Sequence, residues 1–121
     1  MEIKVSKNDK DMYLIELSGS LDLYNSNQLK ELFMKMIENK TDRVVMNLEK
    51  VDKINSAGIG ALIYIASTLR KLGCPLVLVI PEGPILQVLE VTRLKTYFTI
   101  VPSMREIHSM IADEDGTKDR K

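Results

Sequence analysis

The sequence predicts a single α/β domain with one mixed central sheet of about five strands and about four helices, in the order β-β-α-β-α-β-α-β-α. Short β-branched runs alternate along the chain with segments whose apolar residues recur at helical spacing. The run at 76–80 is apolar throughout, as expected of a strand that is covered on both faces. The length of 121 residues is that of one domain.

Two strands and an amphipathic helix open the predicted domain. The strand-like runs at 3–5 and 13–17 are separated by a polar cluster at 8–11, which is typical of a turn that closes an antiparallel hairpin. A helix then follows, with Asn25 or Ser26 as its N-cap and residues 39–40 at its exit. Its apolar face is formed by Leu29, Leu32, Phe33, Met36 and Ile37.

The alternation continues to the end of the domain. Residues 57–72 begin apolar on nearly every side, become amphipathic and end at Gly73, which predicts a helix that crosses over the sheet between two parallel central strands. The predicted elements after the first helix are a strand at 43–48, a helix at 57–72, a strand at 76–80, a short helix at 84–91, a strand at 97–101 and a helix at 103–112 capped by Ser103.

One domain is predicted to span residues 1–112. The remaining segment, 113–121, contains no large apolar residue, so that it has nothing to bury and is expected to be a disordered charged tail. No internal repeat or linker divides the chain.

Composition excludes several classes of function. The 17 basic and 17 acidic residues balance, so that neither nucleic acid nor an anionic membrane is an expected partner. There is no run of eighteen apolar residues and the chain does not start like a signal peptide, which predicts a cytoplasmic protein. The single cysteine, Cys74, cannot form an internal disulfide and is expected to be a small buried residue.

The segment 55–60, Asn-Ser-Ala-Gly-Ile-Gly, is the most informative motif in the chain. It lies where a loop becomes an apolar helix, so that Ser56 is expected to be exposed and to cap the helix. Gly58 and Gly60 each cost about 1 kcal/mol relative to alanine in a helix interior. Their presence in the first turn indicates uncovered backbone that a partner could approach, with an exposed hydroxyl open to phosphorylation.

Enzymatic readings find little support. The only histidine, His108, lies in the predicted last helix without cysteine, aspartate or glutamate at metal-ligand spacing, and it is expected near the surface. Ser56 lacks the Gly-x-Ser-x-Gly elbow, and Gly58 with Gly60 does not form a phosphate-binding fingerprint. We expect no catalytic residue, no metal site and no cofactor.

Two motifs together resemble the STAS domain of bacterial anti-sigma factor antagonists. The first is Gly-Ser-Leu-Asp at 19–22, which follows the predicted hairpin and ends in Asp22; the second is the motif at 55–60. The resemblance covers residues 1 to about 112 and implies a non-enzymatic switch. It further implies that an anti-sigma factor that is a serine kinase phosphorylates the serine at the position of Ser56, and that a phosphatase removes the phosphate. The unphosphorylated form binds the kinase and releases the sigma factor.

The resemblance places Asp22 near the phosphorylated serine, in partner binding or phosphorylation. We expect the partner to contact Asp22, Asn55, Ser56, Ala57, Gly58, Ile59 and Leu62. Many relatives have aspartate at the position of Asn55, and this difference favours the alternative of a STAS module that binds a protein or a small ligand constitutively. An exposed Ile59 and Tyr64 leave the choice between a monomer and a weak dimer open. An enzyme is the least supported reading.

Overall fold

The computed structural model describes residues 1–109 and confirms the predicted order of elements. The predicted tail at 113–121 and the last residues of the predicted final helix lie outside the described residues. The elements are β1 (Glu2–Lys7), β2 (Met12–Leu21), α1 (Leu23–Met36), β3 (Arg43–Ile54), α2 (Ser56–Lys71), β4 (Leu76–Val79), α3 (Pro84–Val91), a 3-10 turn (Lys95–Tyr97), β5 (Thr99–Val101) and α4, which is helical over 104–109.

The five strands form one mixed sheet in the order β1-β2-β3-β4-β5. Strand β1 pairs antiparallel with β2, and every later pair is parallel. Each parallel connection therefore moves one strand further in the same direction, and right-handed crossovers place α1, α2 and α3 on the same face of the sheet. All three helices begin at the carboxyl end of the parallel strands.

The sheet separates a large core from a small one. The large core lies under α1, α2 and α3 and includes alternate residues of the strands, because successive strand residues point to opposite faces. On the other face, Ile107 of α4 packs in a smaller cluster with Val45, Val77 and Val79. Strand β4 contributes to both clusters, which explains why its sequence is apolar throughout.

The polar turn of the opening hairpin is confirmed. The Asn8 side-chain oxygen accepts hydrogen bonds from the Lys10 and Met12 amides at 2.9 and 3.0 Å, and Asp11 has a φ of 60° in the left-handed region. The carboxylate of Asp11 also pairs with Lys7 at 3.2 Å, and this hydrogen bond raises the pKa of the Lys7 ammonium.

Several strand boundaries differ from the sequence prediction, and β2 in particular extends from the predicted 13–17 to Met12–Leu21. Strand β3 was expected to end at residue 48 but continues to Ile54, because β2 is also long and its last residue, Leu21, pairs with Ile54. Strand β5 begins at Thr99 because the residues before it form the 3-10 turn. The exit of α1 lies a turn earlier than predicted, at Met36.

The two residues that were assigned no chemistry lie where the sequence predicts them. Cys74 is buried, 8% exposed, and burial raises the pKa of its thiol. His108 is exposed on α4. Within residues 1–109, no helix combines the length and the apolar character needed to cross a membrane.

Candidate functional site

The register of β2 and β3 brings the two sequence motifs together. Leu21 and Ile54 are paired at the carboxyl ends of these strands, and each is followed by an Asx residue that starts a helix. The backbone N–H of Asn55 donates to the Leu21 carbonyl oxygen at 3.3 Å. Asp22 and Asn55 are therefore neighbours, and the first turns of α1 and α2 lie side by side at one edge of the sheet.

Helix α1 is capped by Asp22, whose carboxylate accepts a hydrogen bond from the Asn25 amide at 2.9 Å. The prediction that Asn25 or Ser26 is the cap is wrong. Both residues lie within the first turn of α1, and their side chains are buried. The Asn25 side-chain nitrogen donates to the Ser20 carbonyl oxygen at 2.7 Å. An Asx residue one turn earlier already supplies the acceptor that the first free amides need.

Helix α2 is capped by Asn55 and not by Ser56, so that this second prediction is also wrong. The Asn55 side-chain oxygen accepts a hydrogen bond from the Gly58 amide at 3.1 Å. Ser56 is the first helical residue and is exposed, as predicted. Because Asn55 performs the capping, the Ser56 hydroxyl is not needed to satisfy the helix end.

Gly58 serves internal packing, which corrects its assignment as uncovered backbone at a contact surface. Gly58 is buried, and a Cβ atom added to it would lie 2.4 Å from the Leu21 carbonyl oxygen and 2.8 Å from Cγ1 of Ile54. Only glycine allows the first turn of α2 to approach the end of β2 this closely. Gly60 is different, since a Cβ there would have no neighbour within 4 Å.

The other residues of α2 that were expected at or near the partner surface differ in their exposure to solvent. Leu62 is 0% exposed and belongs to the large core, so that its assignment to the surface is wrong. Ala57 and Ile59 are partly buried, and Tyr64 is exposed on the next turns of α2. Helix periodicity explains this result, because Leu62 lies on the inward stripe with Ile65 and Leu69.

An open depression of about 510 Å³ adjoins the two helix starts. Apolar side chains of β3 and α3 form part of its wall, and polar groups from the carboxyl ends of β2 and β3 form the rest. The Ser20 hydroxyl donates to the Asp52 carboxylate at 3.4 Å along this rim. The lining residues are Ser20, Leu21, Asp22, Asp52, Lys53, Ile54, Asn55, Pro84, Ile85 and Val88.

The sequence interpretation missed two large exposed residues at this edge. Leu23 and Tyr24, the first two residues of α1, are 64% and 71% exposed. The available signal was their place directly after Asp22, ahead of the apolar face of α1. Metal chemistry finds no support here, since residues 1–109 contain no group of three histidine, cysteine, aspartate or glutamate side chains that could hold an ion.

The family model of the STAS domain matches residues 2–107. This range includes the complete sheet, both helix starts and the depression beside them. The chain therefore belongs to the STAS domain family.

Two of the proteins to which this chain is similar are named anti-sigma factor antagonists. An anti-sigma-B factor antagonist from Staphylococcus aureus is 27% identical over 95 residues, covering 78% of this chain and 87% of that protein. An anti-sigma factor antagonist from Mycobacterium paratuberculosis is 18% identical, with a TM-score of 0.74 and coverage of 92% of this chain and 93% of that chain.

A third relative is a Bacillus protein, the cell fate determinant SpoIIAA, whose structure was solved in its phosphorylated form. It is 15% identical, with a TM-score of 0.70, and the match covers 90% of this chain and 99% of that chain. At these identities, the two solved structures establish a shared fold.

Proposed function

We propose that this protein is an anti-sigma factor antagonist that works as a phosphorylation switch in the cytoplasm. Its unphosphorylated form binds an anti-sigma factor that is a serine kinase, and the sigma factor is released. Phosphorylation of Ser56 ends this binding, and a phosphatase acting on phosphoserine restores it. The protein itself catalyses no reaction in this cycle.

The observation that carries the proposal is the state of the Ser56 hydroxyl. It is exposed at the first residue of α2, and it is not used as the helix cap. It directly follows Asn55, whose amide is hydrogen-bonded to Leu21, the residue before the cap of α1. A kinase needs an accessible hydroxyl that can be modified without loss of the fold. The name of the Staphylococcus aureus relative and the phosphorylated Bacillus structure support the same assignment.

The free protein can accept a phosphate at this position. A phosphoserine carries about −1.5 to −2 charges at neutral pH. The Ser56 and Ala57 amides are among the first helical N–H groups, which have no acceptor within the helix, and the positive end of the helix dipole faces the same point. Phosphorylation should therefore leave α2 intact.

The complex cannot accept the same phosphate. The proposed contact surface consists of Asp22, Asn55, Ser56, Ala57 and Ile59, and docking would remove the phosphate from water on a surface that also carries the Asp22 carboxylate. If phosphorylation weakens binding about a thousandfold, the difference is about 4 kcal/mol, which one or two like charges at a desolvated contact can supply.

Calorimetric titration against the purified serine-kinase anti-sigma factor of the same host tests this proposal. Ser56→Ala is expected to bind like the unphosphorylated wild type and to resist phosphorylation. Ser56→Asp should bind weakly, but less weakly than phosphoserine, because it supplies only one charge. Ser67→Ala is the matched control, since Ser67 lies on the same helix and its hydroxyl already donates to the Tyr64 carbonyl oxygen at 3.2 Å.

Phosphopeptide mapping completes the test. Modification of Ser20 or Thr68 in place of Ser56, or unchanged affinity after Ser56 is phosphorylated, would reject the switch. Modification of Ser26 would contradict the structure as well, because its hydroxyl is buried.

A constitutive STAS interaction module is the second candidate. Asn55 favours it, because the family resemblance leads us to expect an aspartate at this position, whereas the Asn55 amide brings no negative charge next to Ser56. The depression beside Asp22 and Asn55 could take an apolar segment of a protein or a small ligand. Intact mass of the protein isolated from its host separates the two candidates: phosphate on Ser56 supports the switch, and its lasting absence supports the module.

A further inference from the structure

Two large apolar side chains are exposed in the first turn of α1, the helix start that neighbours the start of α2. Leu23 and Tyr24 follow the capping Asp22 directly and expose 64% and 71% of their surface. Leu23 has the same place in α1 that Ser56 has in α2, the first residue after the cap. We call these two residues the Leu23–Tyr24 patch. It lies at the same sheet edge as the proposed switch residue.

The patch has no evident role in holding α1 in place. The buried stripe of the helix is formed by Asn25, Ser26, Leu29, Phe33 and Met36, and the cap is supplied by Asp22. The Tyr24 hydroxyl is within 3.5 Å of the Gln28 side-chain nitrogen one turn later, a contact that directs the ring along the outer surface of the helix. Single exposed apolar residues are common, but larger apolar surface concentrated at one place is typical of interaction sites. Two consecutive large side chains at the start of α1 make this edge of the sheet a candidate for such a site.

We propose that the Leu23–Tyr24 patch is the apolar anchor for the anti-sigma factor kinase. The inference rests on the proposed function and names the second part of the same contact. The expected partner surface is an apolar recess bordered by a basic group, because Asp22 directly precedes the patch and follows Leu21, whose carbonyl oxygen accepts from the Asn55 amide next to Ser56. Apolar and aromatic anchors supply much of the affinity at protein interfaces.

The different roles of the Leu23–Tyr24 patch and Ser56 predict different effects on the kinetics of phosphorylation. The patch contacts the kinase both before and during phosphoryl transfer, whereas the Ser56 hydroxyl is the reacting group. Loss of an interaction that is equal in the ground and transition states raises KM and leaves kcat unchanged. Patch variants should therefore be phosphorylated at the wild-type kcat with a higher KM. A variant that merely distorts the start of α2 would change kcat as well.

The test uses the full chain, the purified kinase and three single variants. Leu23→Ser and Tyr24→Ser are each expected to weaken binding about tenfold. Each substitution removes an apolar side chain that would be partly buried in the complex, and the loss of that burial has about this effect. Leu72→Ser is the matched control: Leu72 is 61% exposed, but it caps the far end of α2, at the opposite edge of the sheet. Its affinity and KM should be those of the wild type. Thermal melting verifies that all three variants fold.

The outcomes separate this inference from the proposed function. If the wild type does not bind the kinase, both are rejected. If the wild type binds and Ser56→Asp weakens binding, but both patch variants bind normally, the switch stands and the anchor is rejected. If light scattering detects a dimer of the wild type that the patch variants abolish, with kinase affinity unchanged, the patch covers a second copy of this chain and the inference is wrong. Should Leu23→Ser unfold, Tyr24→Ser alone decides the outcome.

Discussion

The starts of α1 and α2 use the same local chemistry for different purposes. Helix α1 follows the strand end at Leu21, and α2 follows the strand end at Ile54, which pairs with Leu21. Each helix is capped by an Asx side-chain oxygen that accepts a hydrogen bond from the amide three residues later. Helix α1 then exposes two large side chains, whereas α2 continues with Ser-Ala-Gly and is pressed against the end of β2. Capping chemistry alone thus does not distinguish a packed helix start from one that presents bulky groups to solvent.

The difference between the two starts depends on one glycine. With Gly58 in its first turn, α2 can approach the Leu21 carbonyl oxygen closely, so that Ser56 is held at a defined position beside the start of α1. In α1, Asn25 instead ties the first turn to the strand through its side-chain bond to Ser20. A rigid start would suit the proposed switch, in which a kinase and a phosphatase recognise the same serine.

The largest stability effect is expected for Gly58→Ala. The new Cβ would lie 2.4 Å from the Leu21 carbonyl oxygen, so that the backbone must shift. Overpacking of this kind costs up to about 3 kcal/mol, and the gain in helix propensity offsets about 1 kcal/mol of it. Urea denaturation should report the loss of stability. The larger Gly58→Leu should fail to fold.

Gly60→Ala is the matched control for this prediction. The substitution adds the same methyl group two residues later in α2, where no atom apart from the adjoining residues and the local helix backbone would lie within 4 Å of it. It should stabilise the domain by up to about 1 kcal/mol through helix propensity. Equal effects at the two positions would show that Gly58 does not fit tightly against β2.

Removing either cap should have an intermediate and similar effect. Asp22→Ala and Asn55→Ala each delete the side-chain acceptor of a helix start, and each should cost about 1 kcal/mol. Asp22→Asn should retain the cap and most of the stability. This variant should bind the kinase more weakly or be phosphorylated more slowly, because the carboxylate charge is lost. Wild-type affinity and phosphorylation rate for Asp22→Asn would reduce Asp22 to a cap.

Ser56→Ala should change the free energy of unfolding by less than about 0.5 kcal/mol, because its hydroxyl is exposed and Asn55 caps the helix. The contrast with Asn55→Ala, measured by the same denaturation curves, tests the assignment of the cap. A loss near 1 kcal/mol for Ser56→Ala would mean that the two residues share the capping role.

The smallest effect concerns the opposite end of α2. Burial raises the pKa of the Cys74 thiol, so that the folded state holds the thiol proton more tightly than the unfolded state. This contribution is complete below the ordinary thiol pKa of 9.0 and is lost as the pH rises through the higher folded value. Stability of the wild type should therefore fall slightly more in alkaline buffer than that of Cys74→Ala. Identical pH profiles would contradict the raised pKa.

Local patterns were sufficient for the architecture. The sequence predicts the order of the elements, the hairpin turn at Asn8 and Asp11, and the bounds of α3 at 84–91, all of which the structure confirms. It also predicts an exposed Ser56 at the start of an apolar helix. Side-chain periodicity and turn chemistry depend on residues that are close together in the sequence. These features can therefore be predicted without the tertiary structure.

The composition of the site was decided by tertiary structure. Gly58 and Leu62 were predicted at the partner surface but are buried. Leu23 and Tyr24 were not predicted there but are exposed at the start of α1. Periodicity identifies the apolar stripe of a helix, but the depth at which the stripe meets the sheet depends on the backbone behind it. The approach of α2 to Leu21 and the pairing of Leu21 with Ile54 are contacts between residues distant in sequence. Such contacts are set by the register of two parallel strands, which no local pattern specifies.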